Sequence, residues 1–157
     1  MKTLLTKFAA LGTALSVSSS IVLAATGWDD DYAKALAKAK TENKMVLLDF
    51  TGSDWCSWCM KLDKEVFSKK EFKDYAKQNL VLVEVDFPNA KRQTKKLKEQ
   101  NEKLKAEHSV KGFPTIIVLN SEGQTVGELG YMPGGPAPFL EKLDALKGKA
   151  ATTATTN

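Results

Sequence analysis

The stretch MVLLDFTGSDWCSWCMKL, Met45 to Leu62, decides how the chain folds. Its first six residues form a nearly continuous apolar run broken by one acid, Asp49. Such a run suits a strand buried on both faces. The period then changes. From Cys56, the positions Cys59, Leu62 and Val66 share one face of a helix. A strand gives way to a helix here, and the two cysteines of the chain lie at the junction. Such a pair has three uses: redox catalyst, half a metal site, or structural staple.

The spacing separates these uses. A staple gains by closing a long loop, and a bridge across two residues closes almost nothing. A closed zinc site needs four ligands, and the chain offers two cysteines and one distant histidine, His108. A cysteine at a helix N-terminus sits among unpaired backbone N–H groups at the positive end of the dipole. Both stabilise a thiolate, which makes Cys56 the nucleophile of the pair. Cys59, one turn further in, is placed to resolve a mixed disulfide.

Outward from this junction, the elements follow one another closely. Upstream, WDDDYAKALAKAKTENK (Trp28 to Lys44) reads as a helix capped by one of Asp29, Asp30 or Asp31. Downstream come a short helix over Glu71 to Gln78 and a second buried strand, LVLVEVDF, ended by Pro88 and Asn89. Lys91 to His108 reads as a long polar helix with a thin seam at Thr94, Leu97, Asn101, Leu104 and His108. Its basic residues read as a solvated face. KGFPTIIVLNSEGQTVGELG (Lys111 to Gly130) reads as a hairpin turning at Ser121 to Gln124. A Gly/Pro loop then leads to a last helix with Phe139, Leu140, Leu143 and Leu146 as its buried stripe. Helices between the first strands imply parallel pairing, and the hairpin is antiparallel. The expected architecture is α/β, a three-layer mixed central sheet of about four strands flanked by helices.

The N-terminus reads differently. MKTLLTKFAALGTALSVSSSIVLAATG has two lysines, an apolar run and then small residues, the layout of a secretory signal peptide. Val22-Leu23-Ala24 fits the small-residue cleavage rule, so residues 1–24 are assigned to a signal peptide, 25–147 to one domain and 148–157 to a disordered tail. An uncleaved anchor is the competing reading, but Ser16, Ser18, Ser19 and Ser20 interrupt the apolar run. Without Lys2 and Lys7 the net charge falls from +4 to +2. Near-neutral charge spread along the chain argues against a dedicated nucleic-acid binder. Export places the protein in the periplasm or outside the cell, where a lone cysteine pair is oxidised unless something keeps it reduced.

Taken together, LLDF (Leu47 to Phe50), DWCSWC (Asp54 to Cys59), VEVDF (Val83 to Phe87) and VKGFPT (Val110 to Thr115) resemble the thioredoxin-fold family in order and spacing, over roughly Asp30 to Leu146. Within the family the chain is most similar to exported single-domain members. The resemblance implies a thiol–disulfide oxidoreductase that works through its own Cys56–Cys59 pair, with no metal or other cofactor. It implies that Phe113-Pro114 is the family's cis-proline loop, which presents backbone to an extended substrate. Asp49 matches the family's buried acid, whose raised pKa lets it accept the Cys59 proton. Trp55 matches the tryptophan before the nucleophile, and Trp58 adds an apolar face between the cysteines. Ser57 stands next to Cys56 as a hydrogen-bond donor to its sulfur. His108 is read as packing or as a helix C-terminal cation. The chain departs from the family twice. The segment from Asp49 to Cys56 is one residue longer than the common spacing, and Leu82 stands where thioredoxins often have a lysine.

The implied partners are exported proteins bearing thiols or disulfides and a membrane redox relay. No nucleic acid is implied, and no stable membrane insertion after cleavage. Two other classes compete. The thiols and Met60 are soft ligands for a copper-binding or copper-delivery module, and a chaperone-like binding domain would make the pair incidental.

Overall fold

The computed structural model describes residues 27–154, so the signal peptide assigned to residues 1–24 lies outside the described residues. The element order is α1 (Tyr32–Glu42), β1 (Met45–Thr51), α2 (Ser57–Leu62), α3 (Lys70–Asn79), β2 (Leu80–Asp86), α4 (Lys95–Glu107), β3 (Thr115–Leu119), β4 (Thr125–Leu129) and α5 (Pro136–Ala154). The sheet order is β2-β1-β3-β4. β1 pairs parallel with β2 and antiparallel with β3, and β3 pairs antiparallel with β4. This is the expected three-layer mixed sheet of four strands.

Every residue of β1 is buried. Side chains alternate across a strand, so one sheet carries two cores. Met45 and Leu47 face Leu62, Phe67, Phe72, Phe139 and Leu143, and thus α2, α3 and α5. Val46, Leu48 and Phe50 face Ala35, Ala39 and Leu104, and thus α1 and α4. The helix ends are chemically marked. Asp31 caps α1 by accepting from the Lys34 N–H at 3.0 Å. Asn43 closes it in the left-handed region, with φ 49°.

Helix α2 runs directly into a π-helical stretch, Asp63–Phe67, a wider turn that sequence periodicity does not announce. Val66 and Phe67 are both buried there. Helix α4 starts at Lys95 with Thr94 as its cap, rather than at Lys91. Residues 89–91 are drawn away because Asp54 accepts the N–H groups of Asn89, Ala90 and Lys91. Before α5, Gly134 and Gly135 turn the chain at φ 106° and 73°, a conformation that costs glycine little. Helix α5 continues to Ala154, through the first residues of the stretch read as a disordered tail, and Ala150 joins the core.

Phe139 anchors α5, with ring centroids 5.7 Å from Phe67 and 6.2 Å from Phe72. Phe139→Ala is expected to cost about 3–5 kcal/mol of stability, read as a lowered urea midpoint with unchanged far-UV dichroism. An unchanged midpoint would show that this aromatic cluster does not hold α5.

Candidate functional site

The site begins where β1 ends. Cys56 and Cys59 are joined by a disulfide, their Cα atoms 5.2 Å apart. Cys56 is the N-cap of α2, and its Sγ accepts from the Cys59 backbone N–H at 3.2 Å. The hydrogen bond expected from Ser57 is thus supplied by the backbone. Both cysteines are nearly covered, at 6% and 5% exposure.

The additional residue between Asp49 and Cys56 is taken up in a turn. The N–H groups of Trp55 and Cys56 both donate to the Gly52 carbonyl, at 3.2 and 2.8 Å. Gly52 is required there, because a Cβ would run into the Trp55 indole. Ser53 donates from its backbone and its hydroxyl to the Asp86 carboxylate, at 2.8 and 2.6 Å. Asp54 binds the three N–H groups after β2, and those bonds hold its carboxyl below the usual range. The loop before Cys56 is thereby tied to the end of β2.

Asp49 lies on the same sheet face as Leu47, the face that α2 covers. It is 9% exposed, and its Oδ1 has no hydrogen-bond partner. Its pKa is pushed up from 3.8 to about 8, first by burial and then by Glu84, Asp63 and Asp86. Glu84 is the cross-strand Cα partner of Asp49. It is half-buried and itself raised by burial and by Asp86. Where the family often has a lysine beside this acid, the chain has Leu82, followed at Glu84 by a second acid. Sequence reading assigned Glu84 no role, since the β1–β2 register is not visible in it.

Of the residues expected to face a substrate, Trp55 and Trp58 lie beside the cysteines in the chain, and Phe113 meets Trp55. The Phe113–Pro114 bond is cis. Phe113 stacks on Phe87 at 5.1 Å and meets Trp55 edge-on at 5.9 Å. Trp55 donates from Nε1 to the Phe87 carbonyl at 2.8 Å, and its ring is 46% exposed. Trp58 is 54% exposed and packs on Tyr131 at 5.1 Å. The Tyr131 hydroxyl donates to Glu65 Oε2 at 2.8 Å. Sequence reading gave Tyr131 no role either, because only folding brings the Gly/Pro loop beside α2. His108 packs edge-on against Phe50 at 6.1 Å, and burial lowers its pKa. Among the described residues no group of three or more His, Cys, Asp or Glu side chains could hold a metal ion.

The raised acid has a consequence for stability. Unfolded, Asp49 loses its proton near pH 3.8, and folded it keeps it to about pH 8. Its stabilising contribution is full below the lower value and lost as pH rises through the upper one. The stability gained by Asp49→Asn over the wild type is expected to widen by up to roughly 1.4 kcal/mol per pH unit across that window. Calorimetry of the oxidised proteins from pH 4 to 8 reads it, and a gap that stays flat with pH would refute a raised Asp49 pKa.

The chain is similar to known proteins. A family model described as a thioredoxin-like domain matches residues 32–147. The disulfide bond reductase DsbH of Chlamydia pneumoniae is 39% identical over 139 residues, covering 88% of this chain and 83% of its own. The thiol:disulfide interchange protein DsbD of Vibrio cholerae is 36% identical over 112 residues, which are 69% of this chain but 17% of that protein. A solved structure titled DsbH oxidoreductase superposes with a TM-score of 0.74 at 37% identity, covering 87% of this chain and 94% of its own.

Proposed function

The chain belongs to the thioredoxin-like family and is a thiol–disulfide oxidoreductase, and from that premise we propose that it is an exported reductase of protein disulfides. Cys56 is the nucleophile and Cys59 the resolving thiol. The observation that carries the assignment is the placement of Cys56 Sγ at the α2 N-cap, where it accepts a backbone N–H. A donor there favours the thiolate, which is the attacking form. The reducing direction follows the name of the DsbH relative.

The chemistry runs in two exchanges. The Cys56 thiolate attacks one sulfur of a substrate disulfide. An S–S bond forms to Cys56, the substrate bond breaks, and the first substrate sulfur leaves as a thiolate that takes a proton from water. Asp49, as its carboxylate, then takes the Cys59 proton. The Cys59 thiolate attacks Cys56 Sγ, the mixed disulfide breaks, and the second substrate sulfur leaves. Two electrons have passed to the substrate, and the Cys56–Cys59 disulfide remains. An acid with its pKa near 8 suits this step, because it can both accept and return a proton close to neutrality. Trp55, Trp58, Phe113 and Pro114 hold the substrate segment.

The partners in this reading are exported proteins with non-native disulfides and a membrane redox relay that returns two electrons to the pair. The signal-peptide layout of residues 1–24 supports export. Among the described residues no helix is long and apolar enough to cross a membrane.

Cys59→Ser is expected to accumulate mixed disulfides with exported proteins that dithiothreitol releases, and Cys56→Ser/Cys59→Ser to accumulate none. The wild type is expected to reduce a model protein disulfide, and Cys56→Ser to fall to background. No trapped species, or no turnover by the wild type, would sink the proposal.

A further inference from the structure

Two groups of aromatic rings, each carrying a lysine, adjoin the Cys56–Cys59 segment. In one the Lys61 Nζ sits 5.1 Å from the Trp58 ring and 5.0 Å from the Tyr131 ring. In the other the Lys105 Nζ sits 5.1 Å from Phe87 and 5.7 Å from Phe113. Trp55 joins the second group to Cys56, and Trp58 follows Cys56 after one residue. Lys105, Phe87, Phe113 and Trp55 thus form one run of contacts ending just before Cys56, and Trp58, Tyr131 and Lys61 form another that begins between the cysteines.

The carboxylates of this surface are engaged. Asp54 is bound by three backbone N–H groups, and Asp86 by Ser53. Glu65 accepts the Tyr131 hydroxyl through one oxygen, and its other oxygen stands 4.0 Å from Lys61. Lys105 is half-buried, and no carboxylate of the described residues lies within 4.0 Å of it. A lysine laid on aromatic rings is held in place by the ring quadrupole. It gives up less side-chain freedom on meeting an anion than a free lysine does.

We propose that this surface selects disulfides in extended segments that carry Asp or Glu on both sides of the cysteine. The inference rests on the reductase reading and names its substrate class. The apolar part of the segment lies on Trp55, Trp58 and Phe113. A carboxylate on either side reaches Lys105 or Lys61. Opposite charge across the contact speeds encounter and fixes direction, and salt weakens it.

The test uses the reduced full-length protein and three synthetic peptides. Each carries one cysteine disulfide-linked to a small chromogenic thiol, within the same apolar sequence flanked by Glu, Gln or Lys on both sides. The expected kcat/KM order is Glu, then Gln, then Lys, with about tenfold between the ends at low ionic strength and near equality at about 0.5 M salt. Lys61→Glu/Lys105→Glu is expected to reverse the order. Equal rates on all three peptides at low salt, or an order that salt leaves unchanged, overturns the proposal. A charge order in the wild type that the double variant retains overturns the assignment to these two lysines. Failure to reduce any of the peptides would instead count against the reductase reading, so the two failures are distinguishable. The wild-type salt series stands by itself if the double variant does not fold.

Discussion

Strand β1 is hydrogen-bonded along both edges and buried on both faces, and the rest of the molecule is arranged by that constraint. Paired with β2 along its length and with β3 from Val46 to Phe50, it satisfies its backbone groups within the sheet. Its side chains must then satisfy two cores at once, which is why Met45 to Leu48 are apolar without alternation. The same enclosure gives Asp49 its chemistry. At the centre of the sheet its Oδ1 finds no donor and its cross-strand neighbour is another acid, so the proton stays on.

Leaving the sheet, the chain must turn and begin a helix within five residues, from Gly52 to Cys56. Three local devices make this possible. The Gly52 carbonyl accepts two N–H groups, Ser53 is bound to Asp86, and Asp54 gathers the loop that follows β2. Two carboxylates thus fasten the reactive loop to the neighbouring strand end. The Trp55 indole closes over Gly52 and donates to the Phe87 carbonyl, joining the cysteines to the Phe113-Pro114 loop. The disulfide is nearly covered, while Trp55 and Trp58, its neighbours in the chain, are exposed.

Much of this was legible because it depends on local period. MVLLDF and LVLVEVDF declare buried strands, and Cys56 with Cys59 declares a helix start, within windows of a few residues. Other features were not legible, because the partner lies far along the chain. The start of α4 moved from Lys91 to Lys95 because the N–H groups of residues 89–91 are claimed by Asp54, more than thirty residues earlier. Tyr131 was given no role because nothing near it in sequence points to Trp58 or Glu65. The first turns of the supposed tail are helical because Ala150 finds a core to join, which a run of small polar residues does not announce.

The sequence alone determined the order of elements, the sheet they build, and the position of the reactive pair at a strand-to-helix junction. Those follow from hydrophobic period and cysteine spacing, both written in contiguous residues. Only the tertiary structure decided the surroundings of the pair. It put Glu84 beside Asp49 through the β1–β2 register, brought Phe113 against Trp55, and set Lys61 over Trp58 and Tyr131. The physical reason is that burial, charge coupling and ring contact depend on distance in space, and these residues meet only once the strands have paired and the loops have closed.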